Sequence, residues 1–153
     1  KATDIEVSMI LLEYPEEDRL KLAESLKKVK SLSRYAEEAK FLHAMDKRDR
    51  FLFDFFKVPD GNTLVLFDKV ENYGEPLCQK FKTVYDPDKV HFISGDIPIS
   101  ERKDIKRILE SSTGNILFAS FQTMSRGESV KNLHNIFIVS TQSPDKCQIL
   151  PAS

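Results

Sequence analysis

Four short runs of mostly apolar residues lie in the second part of the chain, and they constrain the fold more than any other feature. They cover residues 63–67, 90–93, 115–119 and 136–139. Each run has the length of a strand. None shows the strict alternation of apolar and polar residues that is typical of a strand with one solvent-exposed face. Strands buried on both faces belong to parallel sheets covered by helices on both sides. The sequence therefore predicts an α/β domain.

The first sixty residues predict a strand followed by helices. Alternating apolar residues over 5–14, ended by Pro15, predict an initial strand. Residues 16–56 are charged and carry apolar side chains at helical spacing, which predicts three helical pieces. Ser33 is placed to cap the second piece, and residues 59–61 (Pro-Asp-Gly) form a turn. The apolar positions are Ile5, Val7, Met9 and Leu11 in the strand, then Leu20, Leu22, Leu26 and Val29, then Tyr35, Ala39, Leu42 and Met45, and finally Leu52, Phe53 and Phe56.

Helices are also predicted between the apolar runs, over residues 76–81 and from Ser100, as the cap, to about Glu110. We assign residues 1–153 to a single domain. Within it, 1–15 holds the initial strand, 16–60 is a helical section and 61–153 is the α/β core.

Composition narrows the class of protein. The chain of 153 residues has a net charge of -1, from 23 basic and 24 acidic residues. A protein whose whole surface binds nucleic acid is usually basic, so any contact of this chain with nucleic acid is expected to be limited to a local patch.

Cys78 and Cys147 are too few for a disulfide scaffold, so we expect free thiols in a reducing cytoplasm. No apolar run approaches the roughly 18 residues that span a bilayer, and no signal-peptide pattern is present, so no membrane partner is expected. Because the first residue is not Met, we expect a fragment of a longer protein.

Several well-known chemical sites are missing from the sequence. It has no Gly-x-x-x-x-Gly-Lys-Ser/Thr loop to hold a triphosphate and no Gly-x-Gly-x-x-Gly dinucleotide motif. His43, His91 and His134 lie far apart, and neither His-Glu-x-x-His nor paired Cys-x-x-Cys occurs, which argues against a metal site. No Gly-x-Ser-x-Gly elbow is present. The residues alone indicate an α/β domain without a complete active site.

The loops after the first three apolar runs are expected to meet. They cover residues 67–70, 94–100 and 120–127. Because parallel strands place their carboxyl ends at the same edge of a sheet, these loops share the edge at which α/β folds bind ligands. Backbone N–H groups at strand-to-helix turns are suitable donors to phosphate.

Three segments carry a more specific likeness. They are Gly-Asn-Thr-Leu-Val-Leu-Phe at 61–67 with the loop to residue 77, Val-His-Phe-Ile-Ser-Gly-Asp at 90–96 with the helix from Ser100, and the stretch 115–134, which contains Ala-Ser, then Arg-Gly, and ends in Asn-Leu-His. In order and spacing they resemble motif IV, the following strand with its Arg-rich helix, and motif V of the C-terminal RecA-like lobe of superfamily 2 DNA helicases. The likeness is greatest to helicases of the phage UvsW type. It covers residues 61–140, and the helical section before it resembles this group more weakly.

The resemblance implies a RecA-like parallel sheet of the P-loop NTPase type and a role in an ATP-dependent DNA helicase that unwinds or remodels branched DNA. ATP and Mg²⁺ would be held mainly by an N-terminal ATPase lobe of the same polypeptide. Such proteins serve phage DNA repair and recombination in the host cytoplasm. In this family a Gln-x-Ile-Gly-Arg helix follows motif V, whereas residues 148–153 read Gln-Ile-Leu-Pro-Ala-Ser. We therefore expect a core truncated at its C-terminus, and no ATP hydrolysis by the fragment alone.

The resemblance also assigns candidate site residues. Ser120, Thr123, Arg126 and Lys131, from motif V, and Lys69, after motif IV, would contact the DNA backbone. Gly127, Glu128 and Ser129 would lie near ATP, although serine at 129 departs from the acidic or amide residue that many relatives carry there. No catalytic residue or metal ligand is expected within the fragment.

Each assignment has a plainer interpretation. Ser120, Thr123 and Gly127 could serve only local turns, and the charged side chains could be solvated. The following residues are expected to be structural or simply exposed: Arg102, Lys103, Lys106 and Arg107 as a solvated helix face, His91 and His134 beside strands, and Phe51, Phe53, Phe55 and Phe56 as core or lobe-packing surface.

Two other functions remain open from the sequence. The first is a stand-alone nucleic-acid-binding or regulatory module with a degenerate RecA-like fold and no catalysis. The second is a related superfamily 2 enzyme, either a restriction-type translocase or an RNA helicase. The motif V stretch favours the UvsW group over RNA helicases.

Overall fold

A computed structural model describes residues 6–56, 60–68, 70–127 and 129–139. The chain divides into two compact units, Lys1–Ala44 and Met45–Ser153. The division falls inside the predicted helical section 16–60 and leaves the last of its helices with the sheet. The assignment of residues 1–153 to one domain stays a prediction.

All the regular secondary structure among the described residues of the first unit is helical. It contains α1 (Glu16–Leu26), a 3₁₀ turn (Ser31–Ser33) and α2 (Arg34–His43). Helix α1 follows Pro15, which occupies its N-cap position. Neither helix has a buried residue among those described.

Two predictions for this unit are wrong. Residues 6–15 form no strand, and Val7, Met9 and Leu11 are 85%, 86% and 83% exposed. Alternating apolar residues do not make a strand without a neighbour to accept and donate its backbone hydrogen bonds. Ser33 makes no capping hydrogen bond, because its backbone (φ -101°, ψ -4°) is near-helical rather than in the extended conformation that capping requires.

The second unit is a parallel sheet with helices on both faces. Its helices are α3 (Asp46–Phe56), α4 (Glu75–Val84), α5 (Ile99–Ser111) and α6 (Phe121–Ser125), and its strands are β1 (Thr63–Phe67), β2 (Val90–Ile93), β3 (Ile116–Ser120) and β4 (Asn135–Ile138). The strand order is β2-β3-β1-β4, and all neighbours are parallel. The predicted α/β architecture, a parallel sheet with helices on both faces, is confirmed. One detail is wrong: α5 begins at Ile99 after Pro98, so Ser100 lies inside the helix rather than at its cap.

The core lies on both sides of the two central strands, whose residues are all buried. On one face Phe67 and Phe118 pack with Leu77 and Phe81 of α4, and on the other Leu66 and Leu117 pack with Leu109 of α5. Strand β4, at one end of the described sheet, differs from its prediction because it contributes no residue to the core cluster on the α5 side. Its Ile136 and Ile138 remain 61% and 57% exposed, so this run is buried on one face only.

Helix α3 packs against α4 through aromatic and polar contacts. Phe53 and Phe56 meet the ring of Phe81 edge-on, at centroid distances of 4.7 and 5.1 Å. The buried Asp49 carboxylate accepts a hydrogen bond from Lys80 Nζ at 2.5 Å. Phe56 is therefore core and Phe53 packs against it, as expected, whereas Phe55 is half-buried and Phe51 remains 38% exposed.

A buried polar network closes the amino edge of the sheet. Asn62 and Asn115, which precede β1 and β3, are both fully buried. Asn115 donates to Asn62 Oδ1 from its backbone and its side chain, both at 3.0 Å. The Asn62 backbone N–H donates to His134 Nδ1 at 3.1 Å, and His91 Nε2 lies 3.2 Å from Asn115 Oδ1. A Cβ at Gly61, where φ is +84°, would lie 2.6 Å from the His134 ring. Both histidines thus have structural contacts.

The half-buried His91 makes stability depend on pH. Burial, as the largest cause, lowers the pKa of His91 below its ordinary 6.5. As pH falls below 6.5, the unfolded chain binds a proton before the folded chain does. The free energy of unfolding should therefore decrease from pH 7 downwards until the folded-state pKa has been passed. Urea unfolding at a series of pH values measures this, with His91→Gln as the control that removes the titrating group. An identical pH slope in the wild type and His91→Gln would show that His91 makes no contribution.

Candidate functional site

A pocket of about 370 Å³ opens at the carboxyl edge of the sheet. All three loops predicted to meet there contribute to it. The loop after β1 contributes Val70, and the loop after β2 contributes Ser94, Gly95 and Asp96. Helix α5 contributes Arg102. The remaining lining residues are Ser120 at the end of β3, Gln122 and Thr123 in α6, and Arg126 directly after α6. The sequence pattern alone therefore located this site.

Ser120 and Thr123 form the inner wall of the pocket. They are 2% and 6% exposed, and Ser120 Oγ accepts a hydrogen bond from the Thr123 N–H at 3.1 Å. Their hydroxyl oxygens lie 2.9 Å apart, so one hydroxyl donates to the other. The plainer interpretation is thus correct in part, because Ser120 caps α6. The pair still has one hydroxyl hydrogen to offer another acceptor.

Two guanidinium groups supply positive charge to the pocket. Arg126 is exposed, and its Nη1 lies 3.9 Å from the Cβ position of Gly95, beside the turn after β2. Arg102 is half-buried and lines the same pocket. Arginine presents a planar fork of donors that matches the oxygens of phosphate.

The placement of Arg102 corrects an expectation. It was predicted to lie on a solvated helix face with Lys103, Lys106 and Arg107. Arg102 precedes the buried Ile105 and Leu109 by three and seven positions, which places all three on the same side of α5. Lys103 and Arg107 are exposed, as expected, and Lys106 is half-buried. The periodicity of α5 was the signal that could have found Arg102.

The pocket holds two further polar side chains that the sequence did not single out. Gln122 lies in α6, and Asp96 follows β2 in a turn closed by the Ile97 N–H, which donates to the Ser94 carbonyl at 3.3 Å. Both side chains are exposed. Their positions in loops that follow buried strands were visible in the sequence, but nothing in their residue type distinguished them.

The loop from β1 reaches the pocket through a tight turn. Val70–Gly74 forms a single π-helical turn that leads into α4. A Cβ at Gly74 would overlap the ring of Phe67, which is fully buried, so only glycine fits at this point. Val70 is the residue of this turn that lines the pocket.

Three other predicted site residues, Gly127, Ser129 and Lys131, are not among the lining of the pocket. Ser129 and Lys131 are exposed in the loop before β4. Gly127 has φ +87° with open space around its Cβ position, so the backbone conformation requires glycine there. Lys69 and Glu128 lie outside the described residues, as does Cys147.

The described ranges contain neither a cluster of metal-binding side chains nor a membrane-spanning helix. Within them no three His, Cys, Asp or Glu side chains group together as metal ligands. Over the same ranges no helix has both the length and the apolar character to cross a bilayer.

Comparisons with known proteins agree with the fold. No protein-family model matches the chain. The chain is 31% identical over 141 residues to the ATP-dependent DNA helicase uvsW of Enterobacteria phage T4, an alignment that covers 90% of this chain and 26% of that protein. The crystal structure of T4 UvsW matches with a TM-score of 0.64 and 33% identity, over 80% of this chain and 23% of that one. The chain therefore spans about a quarter of the length of this relative. With the parallel sheet described above, these matches support a RecA-like lobe similar to that of UvsW.

Proposed function

We propose that the chain is the C-terminal motor lobe of an ATP-dependent DNA helicase or translocase, and that its carboxyl-edge pocket binds a phosphate of the DNA backbone. The similar T4 protein is named as an ATP-dependent DNA helicase. The single observation that carries the DNA-binding part is the chemistry of the pocket.

The pocket suits a phosphate better than a base. Arg102 and Arg126 supply charged donors, and the Ser120–Thr123 pair supplies a hydroxyl. None of the described lining residues is aromatic, so this site lacks the stacking surface that single-strand binding proteins use for bases. Contacts to phosphate position a protein without reading sequence, which suits an enzyme that moves along any DNA.

ATP use belongs to the same proposal. ATP and Mg²⁺ would be held mainly by an N-terminal lobe of the same polypeptide, and Gly127, Glu128 and Ser129 would touch the nucleotide from this side. When bound, the nucleotide supplies the free energy of phosphoryl transfer. Closing and opening of the two lobes would then move single-stranded or branched DNA past the pocket, which unwinds or remodels it.

Binding of single-stranded DNA by the purified chain tests the proposal. We expect labelled oligonucleotides of different sequence to bind with affinities within about threefold of one another, because phosphate contacts carry no sequence information. We also expect log affinity to fall with log salt concentration, by about 0.7 per phosphate neutralised. Fluorescence anisotropy titrations measure both quantities.

A methylphosphonate oligonucleotide of the same sequence is the matched control, because its backbone is uncharged. It should bind at least about tenfold more weakly, since it forms no charge-assisted hydrogen bonds with the arginines. Equal binding of the charged and uncharged backbones would contradict the proposal. So would a strong preference for one base sequence.

A further inference from the structure

The described lining of the pocket contains one carboxylate as well as two guanidinium groups. Asp96 is exposed in the turn between β2 and α5 and lines the same cavity as Arg102 and Arg126. The charged residues among the described lining are thus two positive and one negative, which leaves a net charge of +1. A carboxylate repels every phosphate oxygen, so Asp96 weakens the electrostatic attraction of the pocket for any phosphate.

We infer that Asp96 matches the pocket to the single negative charge of a phosphodiester and disfavours the dianion of inorganic phosphate or of a terminal phosphate group. The inference rests on the proposed function, because it assumes that the pocket holds a backbone phosphate. A net charge of +1 balances the one charge of a phosphodiester, whereas a dianion leaves an excess negative charge beside Asp96.

This discrimination suits a lobe that works beside ATP. Hydrolysis releases inorganic phosphate, and free nucleotides end in a phosphate group of the same kind. Either would compete for two arginines that had no carboxylate beside them. With Asp96 present, a phosphate inside a DNA strand is the better fit.

The inference makes a quantitative prediction, because electrostatic repulsion is proportional to the charge of the ligand. Asp96→Asn removes the negative charge and nearly preserves the shape of the side chain. If the variant binds a phosphodiester more tightly by about threefold, as one exposed charge allows, it should bind a dianion more tightly by about the square of that factor, roughly ninefold. A purely structural effect of the substitution has no reason to follow the charge of the ligand.

The test is competition against a labelled oligonucleotide bound to the full chain. The two probes are thymidylyl-thymidine, which has one phosphodiester and no terminal phosphate, and inorganic phosphate at a pH where it is a dianion. Inhibition constants are compared for wild type and Asp96→Asn at constant, low ionic strength. The expected result is a gain for both probes, with the larger gain for inorganic phosphate. Equal gains, or no gain, would overturn the inference.

Two further variants keep the result interpretable. Asp88→Asn makes the same change of charge before β2, at the opposite edge of the sheet, and should leave both inhibition constants unchanged. Asp96→Ser should reproduce the charge-dependent gain if the asparagine variant misfolds. Matching gains in Asp88→Asn and Asp96→Asn would reduce the effect to overall charge and overturn the inference.

The outcomes also separate the inference from the proposed function. If the wild-type chain binds the oligonucleotide and Asp96→Asn shows no charge-dependent gain, the inference alone fails. If neither the wild type nor Asp96→Asn binds the oligonucleotide, both the proposed function and the inference are wrong.

Discussion

Replacing Asn62 with alanine should lower the free energy of unfolding by about 4 kcal/mol, a large share of the roughly 5–15 kcal/mol that stabilises a domain. The Asn62 amide is fully buried and donates to the carbonyl groups of Leu109, Ser112 and Asn132 at 2.8, 3.0 and 3.0 Å. Its oxygen accepts both hydrogen bonds from Asn115. Alanine would leave the buried Asn115 N–H without its partner and would remove a donor from the partly buried Ser112 and Asn132 carbonyl groups, and each buried group left unsatisfied costs about 1–3 kcal/mol.

Urea unfolding followed by circular dichroism measures the loss. Asn135→Ala is the matched control, because the Asn135 side chain donates to the Asp60 carbonyl at 2.8 Å in an exposed position. It should cost about 1 kcal/mol or less, since water replaces the lost partner. Asn62→Asp should be at least as harmful as Asn62→Ala, because it places a carboxylate oxygen against three carbonyl oxygens. A cost for Asn62→Ala no greater than that of the control would show that the network does not hold the sheet together.

The sheet could be predicted from the sequence because its signal is local. Runs such as 63–67 and 116–120 are apolar enough to be buried on both faces, and helices separate them. The strand order could not be predicted in the same way, because it depends on which crossovers pack best over the whole domain. The exposure of Ile136 and Ile138 could not be predicted either, because it depends on which strands α5 covers, and the core cluster on that side includes residues of β1, β2 and β3 but none of β4.

The site was predictable to the level of its loops and less so to the level of side chains. Ser120, Thr123 and Arg126 were expected from the resemblance to motif V, and they line the pocket. Arg102 was missed because its charge suggested a solvated face, although its spacing from Ile105 and Leu109 indicates the inner side of α5. Whether a charged side chain at a helix border points to solvent or into a cavity depends on the neighbouring loops, which the sequence of α5 does not contain.

The central claim is that Arg102 and Arg126 bind the DNA backbone, and the double variant Arg102→Ala/Arg126→Ala tests it most directly. It should weaken the binding of single-stranded DNA by roughly 30-fold, because each charge-assisted hydrogen bond to phosphate contributes about 1 kcal/mol or more at a partly exposed site. The salt dependence should also become shallower, by about 0.7 in the log–log slope for a lost phosphate contact.

The decisive control is Lys103→Ala/Arg107→Ala, which removes the same amount of charge from the exposed face of α5. The measurement is the anisotropy titration of both double variants and the wild type at several salt concentrations. The structure predicts a loss of about 30-fold for the pocket variant and of no more than about threefold for the control, since exposed charges outside the site contribute little. Equal losses in the two variants, or unchanged binding in the pocket variant, would contradict the assignment of this pocket to DNA.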